Sequence, residues 1–153
     1  MRVTIISDAS VCPKQHVGGY GFWAVSDRGS HAGDGVFKGV VVASDEAEMK
    51  AVVNALHSAI AVGVAAAGDQ VLIQTDSQTA VLGFQGRCHL GKNKLPIIAA
   101  FESLRAKYSL TIEFRHVKGH SPQEGARFKA QRKSDLRARK AMRRARATKR
   151  KPA

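Results

Sequence analysis

Four carboxylates in this 153-residue chain occupy positions where packing alone would favour another side chain. Asp8 follows the β-branched run Val3 to Ser7, and Asp76 closes the run VLIQTD. Glu48 stands one residue before the apolar stripe Met49, Val52, Val53, Leu56 and Ile60. Asp135 lies within the stripe Phe128, Gln131, Ala138, Met142 and Ala145. Taken singly, each has an ordinary explanation. An aspartate after a strand is a common turn residue, a first-turn glutamate compensates the helix dipole, and Asp135 has many Lys and Arg neighbours to pair with. Together they mean more, because converging carboxylates repel by a few kcal/mol per pair at roughly 4 Å and an effective dielectric near 20. A strong counter-charge makes such a cluster tolerable. All-oxygen ligation without His or Cys selects a hard cation, Mg²⁺ or Mn²⁺ rather than zinc. Two such ions about 3.5–4 Å apart can clamp a phosphate, activate a water and stabilise the leaving oxygen in one in-line step.

Convergence requires particular elements. Val3 to Ser7, Tyr20 to Val25 after Gly18 and Gly19, and the Val-rich Gly35 to Val42 read as three strands joined by turns. From Ser44, a plausible N-cap followed by Asp45 and Glu46, the period becomes helical until Gly63 to Asp69 ends it. Val71 to Asp76 is a buried-strand run, Ser77 to Gln85 a short helix, Gly86 to Lys94 a loop, and Pro96 to Tyr108 a helix. Leu110 to Val117 alternates as a fifth strand, and a basic helix begins near Ala126. This predicts one α/β domain over residues 1–146, a mixed five-stranded sheet flanked by helices, and a disordered basic tail over 147–153. The strand-helix-strand unit over residues 44–76 predicts a parallel pair, with Asp8 and Asp76 at the carboxyl ends of neighbouring strands. Strands about 4.8 Å apart bring both side chains to one point. Tyr20 and Trp23 are expected in the core.

Charge is unevenly distributed. The net charge is +13, yet residues 1–125 carry 12 basic and 11 acidic groups, while residues 126–153 carry 13 basic groups and only Asp135. A patch of that density suits a polyanion, since each phosphate neutralised releases condensed counterions. The basic helix lacks the large apolar residues that anchor a helix at a membrane surface. No apolar run reaches the roughly 18 residues that span a bilayer, and residues 1–7 lack the pattern of a signal peptide. A soluble, cytoplasmic monomer is the expectation. Cys12 and Cys88 have no C-x-x-C spacing and read as two reduced thiols. His116 and His120 flank Gly119 at the end of a strand, a poor context for a zinc pair.

The segments IISDAS, GGYGFW, EAEMKAVVNAL, IQTDSQ, FRHVKGHS and SDLRARKAM, in this order, resemble type 1 ribonuclease H over about residues 3–142. The resemblance implies a ribonuclease H-like fold, with Asp8, Glu48, Asp76 and Asp135 as ligands of two metal ions. It also implies that His120 in the KGH loop assists proton transfer or product departure. The implied activity is hydrolysis of the RNA strand of RNA/DNA hybrids, leaving 5′-phosphate and 3′-hydroxyl ends. Gln131 replaces a usual asparagine, and Ser44 and Asp45 replace asparagines before the helix glutamate. Residues 83–94 are too short for the basic protrusion of many bacterial members, a grip that the basic tail would replace. Candidate nucleic-acid contacts are Ser10 and Cys12 in the first loop, Gln78 at a 2′-hydroxyl or as a helix cap, and Arg132, Lys133, Arg139 and Lys140. The competing readings are a DNA nuclease such as a Holliday-junction resolvase on the same scaffold, and a nucleic-acid-binding module without catalysis.

Overall fold

The computed structural model describes residues 1–41, 43–119 and 123–150, apart from the side chain of Arg150. Five strands form one mixed sheet: β1 (Arg2–Cys12), β2 (Val17–Ser26), β3 (Gly29–Val36), β4 (Gln70–Thr75) and β5 (Thr111–His116). Their spatial order is β3-β2-β1-β4-β5. The β1-β2 and β2-β3 pairs are antiparallel hairpins, whereas β1-β4 and β4-β5 are parallel. The parallel pairs are reached through helices α1 (Ser44–Ala61), α2 (Gln78–Phe84) and α3 (Leu95–Lys107). Helix α4 (Ala126–Arg150) closes the chain.

Helices α1 and α3 cover one face of the sheet. Met49, Val52 and Leu56 of α1, with Ile97 and Phe101 of α3, pack on Val3, Ile5, Phe22, Val71 and Ile73. Helix α4 lies on the opposite face across β1, β2 and β3. Its approach is close because the contact is made of small residues. A Cβ on Gly19 would stand 2.5 Å from the Ala141 Cβ, and one on Gly21 would stand 2.4 Å from the Ser134 carbonyl. Ala138, Ala141 and Ala145 complete the seam. Helix α1 ends at Val62 with Gly63 beyond it at φ 81°, a conformation glycine adopts without steric cost.

Several boundaries differ from expectation for identifiable reasons. The third strand is Gly29–Val36 rather than Gly35 to Val42. It is an edge strand whose glycines 33 and 35 sit opposite Phe22 and Tyr20 and accommodate those rings, so apolar alternation does not mark it. The Val-rich segment instead tucks Phe37 and Val41 against Ala47 and Ala51 of α1. Helix α1 has Ala43, not Ser44, at its N-cap. Helix α4 runs through Arg150 instead of ending near Ala147. Tyr20 is half-buried and packs against the core beside Phe22 and Phe37, whereas Trp23 is half-buried outside it. No described helix is long and apolar enough to cross a membrane.

Candidate active site

Asp8 is not at the end of its strand. β1 pairs with β4 only as far as Ile6 opposite Gln74, while its ladder with β2 continues to Cys12 opposite Val17. The opening therefore arises because β4 stops at Thr75. Beyond that point the β4-side edge of β1 is free, and Asp8 lies beside it. Asp76 is the first residue after β4, and the next residue, Ser77, caps α2 by accepting a hydrogen bond from Ala80 N at 3.1 Å. Ser77 and not Gln78 is the cap. Gln78 is exposed on the first turn, and Ser10 and Cys12 belong to the extended β1 rather than to a loop.

Glu48, 8 % exposed in the first half of α1, reaches the sheet by accepting a hydrogen bond from Ala9 N at 3.1 Å through Oε1. The same amide contacts Asp8 Oδ1 at 2.9 Å. One carboxylate oxygen from each of Asp8, Glu48 and Asp76 lies within 4.8 Å of the others. Burial and the Asp76 charge push the Asp8 carboxyl up to about 8, and burial followed by the Asp8 charge pushes Glu48 well above the carboxylate range. Glu48 Oε2 is enclosed and takes no hydrogen bond from an amide or hydroxyl of the described residues. An enclosed carboxylate oxygen without a donor, facing two more carboxylates, fits a hard divalent cation held by oxygen.

Asp135 stands apart from this trio. It lines the same cleft, of about 340 Å³, together with Asp8, Asp76, Lys118, Gln131 and Arg139, and its carboxylate is ion-paired with Arg139 one turn along α4. The buried face of α4 runs through Gln131, Ser134, Ala138, Ala141 and Ala145, which leaves Asp135 on its border rather than inside it. Gln131 fixes this part of α4 to the sheet. Its Nε2 donates to the Ser7 carbonyl at 2.9 Å, and its Oε1 accepts from Gln74 Nε2 at 2.9 Å. Arg132 also lines the cleft, whereas Lys133 and Lys140 lie on the outer face of α4 beside Arg137 and Arg143.

The end of β5 and the residues just after it lie beside Asp76. A Cβ on Gly119 would stand 2.9 Å from Asp76 Oδ2, and His116 Nε2 donates to the Asp76 carbonyl at 3.2 Å. His120 lies outside the described residues. Lys118, a cationic wall of the cleft, was not singled out from the sequence, although its place two residues before His120 in the KGH motif was the available signal.

The sequence model of the RNase H family matches residues 1–143. The search of curated proteins finds no match. Among solved structures, the chain is similar to the N-terminal RNase H domain of rv2228c from Mycobacterium tuberculosis, fused to maltose binding protein, at TM-score 0.71 and 18% identity over 96% of this chain and 97% of that one. It is similar to RNase H1 from the halophilic archaeon Halobacterium salinarum NRC-1 at TM-score 0.70 and 18% identity, covering 94% of this chain and 99% of that one. LC11-RNase H1, isolated from compost and solved in complex with an RNA/DNA hybrid, is similar at TM-score 0.70 and 18% identity over 94% of this chain and 98% of that one.

Proposed function

The chain belongs to the RNase H family of endoribonucleases, and on that premise we propose that it hydrolyses the RNA strand of RNA/DNA hybrids at a divalent-metal centre built on Asp8, Glu48, Asp76 and Asp135. The observation that carries the reading is the trio Asp8, Glu48 and Asp76 within 4.8 Å, with the enclosed Glu48 Oε2 taking no amide or hydroxyl donor among the described residues. A solved structural relative in complex with an RNA/DNA hybrid supports the substrate class. Mg²⁺, with Mn²⁺ as a substitute and two ions per site, matches the all-oxygen donor set.

When bound, the cations supply Lewis acidity and a water of lowered pKa. The chain contributes the rest. Without a cation, burial and the neighbouring carboxylates push the carboxyls of Asp8 (to about 8) and Glu48 upward, so protons compete with a cation for both. Asp135, on the wall of the same cleft and now paired with Arg139, would hold the cations together with the trio, and Arg139 would then be available to a backbone phosphate. Lys118 and Arg132 line the cleft with positive charge, which favours a phosphodiester over a neutral ligand. His120 is assigned to proton transfer or product departure, and the products carry 5′-phosphate and 3′-hydroxyl ends. The outer basic face of α4, including Lys133 and Lys140, takes the duplex backbone. Only a three-residue 3-10 turn (Lys92–Lys94) lies between α2 and α3, with no room for a protruding helix there.

Asp76→Asn tests the centre. The variant keeps the shape of the side chain and removes its charge, so cleavage of an end-labelled hybrid falls by at least about a hundredfold while hybrid affinity in EDTA is unchanged. Retained cleavage contradicts the assignment.

A further inference from the structure

The register of the sheet carries a second cluster on its α4 face, outside the carboxylate site. Trp23 pairs with Ile6, Ile6 with Gln74, and Gln74 with Arg115, so one row crosses four strands from β2 to β5. This row floors a groove of about 740 Å³, walled by Arg127 and Phe128 of the first turn of α4. The volume falls within the ~300–1,000 Å³ typical of small-ligand sites. Arg115 is held in place by donating Nε–H to Gln74 Oε1 at 2.8 Å. Its guanidinium is half-buried, and burial together with the neighbouring Arg127 charge holds it below the usual arginine range.

Two guanidiniums brought together in this way call for an anion. Among the described residues neither forms an ion pair, and Glu124 on the rim pairs with neither. Trp23, the only tryptophan of the chain, is half-exposed in the same groove, three strand spacings, about 14 Å of backbone, along the row from Arg115. An aromatic face at one end of a groove and two arginines at the other suit a short single-stranded segment, one base of which stacks while a phosphate along the strand takes the fork of a guanidinium. The groove adjoins the catalytic cleft, with Phe128 in the lining of both.

We propose that this groove is a single-stranded nucleic-acid site adjoining the catalytic cleft, with a phosphate held between Arg115 and Arg127 and a base stacked on Trp23. It rests on the proposed function in taking a nucleic acid as its ligand. A substrate with a single-stranded extension therefore has a second point of attachment that a blunt hybrid lacks.

The lone tryptophan gives a direct readout. In EDTA, where no cleavage occurs, a hybrid bearing a single-stranded extension quenches Trp23 fluorescence and a blunt hybrid does not. Arg127→Glu, at an exposed position, raises the concentration needed for half-quenching by about tenfold, and the circular-dichroism spectrum and blunt-hybrid cleavage in Mg²⁺ are unchanged. Inorganic phosphate competes with the extended hybrid without quenching. Equal quenching by blunt and extended hybrids, or quenching indifferent to Arg127→Glu, overturns the proposal. A protein that cleaves no hybrid yet shows the extension-dependent quench refutes the proposed activity and leaves the groove standing, so the two failures are distinguishable.

Discussion

Glu48 reaches from α1 to the Ala9 amide that also contacts Asp8, so two buried carboxyls from different elements meet at one backbone N–H. Neither ionises readily there. With its carboxyl pushed from 3.8 up to about 8, Asp8 stabilises the metal-free fold most fully below about pH 4 and loses that contribution as pH rises through 8. Glu48 shifts in the same direction. In EDTA the melting temperature therefore falls between pH 5 and 9, by roughly 5 °C or more. Mg²⁺ reverses the fall, and its binding at pH 7 releases protons measurable by calorimetry in buffers of different ionisation enthalpy. A pH-independent melting temperature in EDTA counts against two buried, proton-bearing carboxyls.

Gly119 is predicted to be a catalytic constraint rather than a stability element. A methyl group there meets Asp76 Oδ2 at 2.9 Å, and the carboxylate must turn away to admit it. Gly119→Ala lowers kcat by about tenfold or more, since a ligand displaced by around 1 Å forfeits much of its contribution, and shifts the melting temperature little. Steady-state kinetics beside thermal melts separate the two effects.

Asp69 behaves oppositely. Arg28 binds its carboxylate through both terminal nitrogens, at 2.6 and 3.0 Å, and Ala66 N donates to it at 2.8 Å, holding the group down to about 2. This ties the β2-β3 turn to the loop before β4, far from the cleft. Its contribution is present above about pH 4 and lost as pH falls towards 2. Asp69→Asn lowers the urea midpoint at pH 7 and has little effect near pH 2, with kcat at 20 °C retained.

Gln131 links the fold to the site. Gln131→Leu leaves the Ser7 carbonyl without this donor and removes one of two acceptors from Gln74 Nε2, at a cost of about 2 kcal/mol. It also loosens the turn of α4 that carries Asp135, so kcat falls more than KM rises. Gln131→Glu retains the bond from Gln74 and lacks the donor to Ser7, so it resembles Gln131→Leu in kcat if the Ser7 bond sets the position of α4.

The order of the elements was legible from periodicity because α1 and the buried strands have apolar faces of 3.6- and 2-residue repeat. The third strand was not, since its glycines serve the rings of Tyr20 and Phe22 on the neighbouring strand, a tertiary relation with no local signature. Asp8 and Asp76 were found by their place after apolar runs, but the reason they meet, an early stop of β4 beside a longer β1, lies in the pairing register. Glu48 was legible at the border of its stripe. Asp135 was placed one step too deep in α4, because the glycines of β2 draw in the alanine seam and rotate the buried face. Beyond the KGH motif Lys118 carries no local signature, because its place in the wall of the cleft depends on the tertiary position of the residues after β5.

The basic face of α4 makes a separate prediction. Replacing Lys133, Lys140 and Arg143 by glutamine, all on the outer surface, lowers the salt slope of hybrid binding by about 2–3 and leaves kcat at saturating hybrid unchanged. An unchanged slope removes α4 from the binding surface.

Cleavage of strand-labelled substrates by the wild-type chain decides between hydrolysis of the RNA strand of a hybrid and cleavage of DNA. An RNA/DNA hybrid, duplex DNA and a four-way DNA junction are each incubated with Mg²⁺ and with EDTA. With Mg²⁺ the expected result is internal cuts in the RNA strand of the hybrid alone, with 3′-hydroxyl ends that a polymerase extends, and none in EDTA. Cleavage of the junction or the DNA duplex with the hybrid left intact, or cleavage that persists in EDTA, would contradict it.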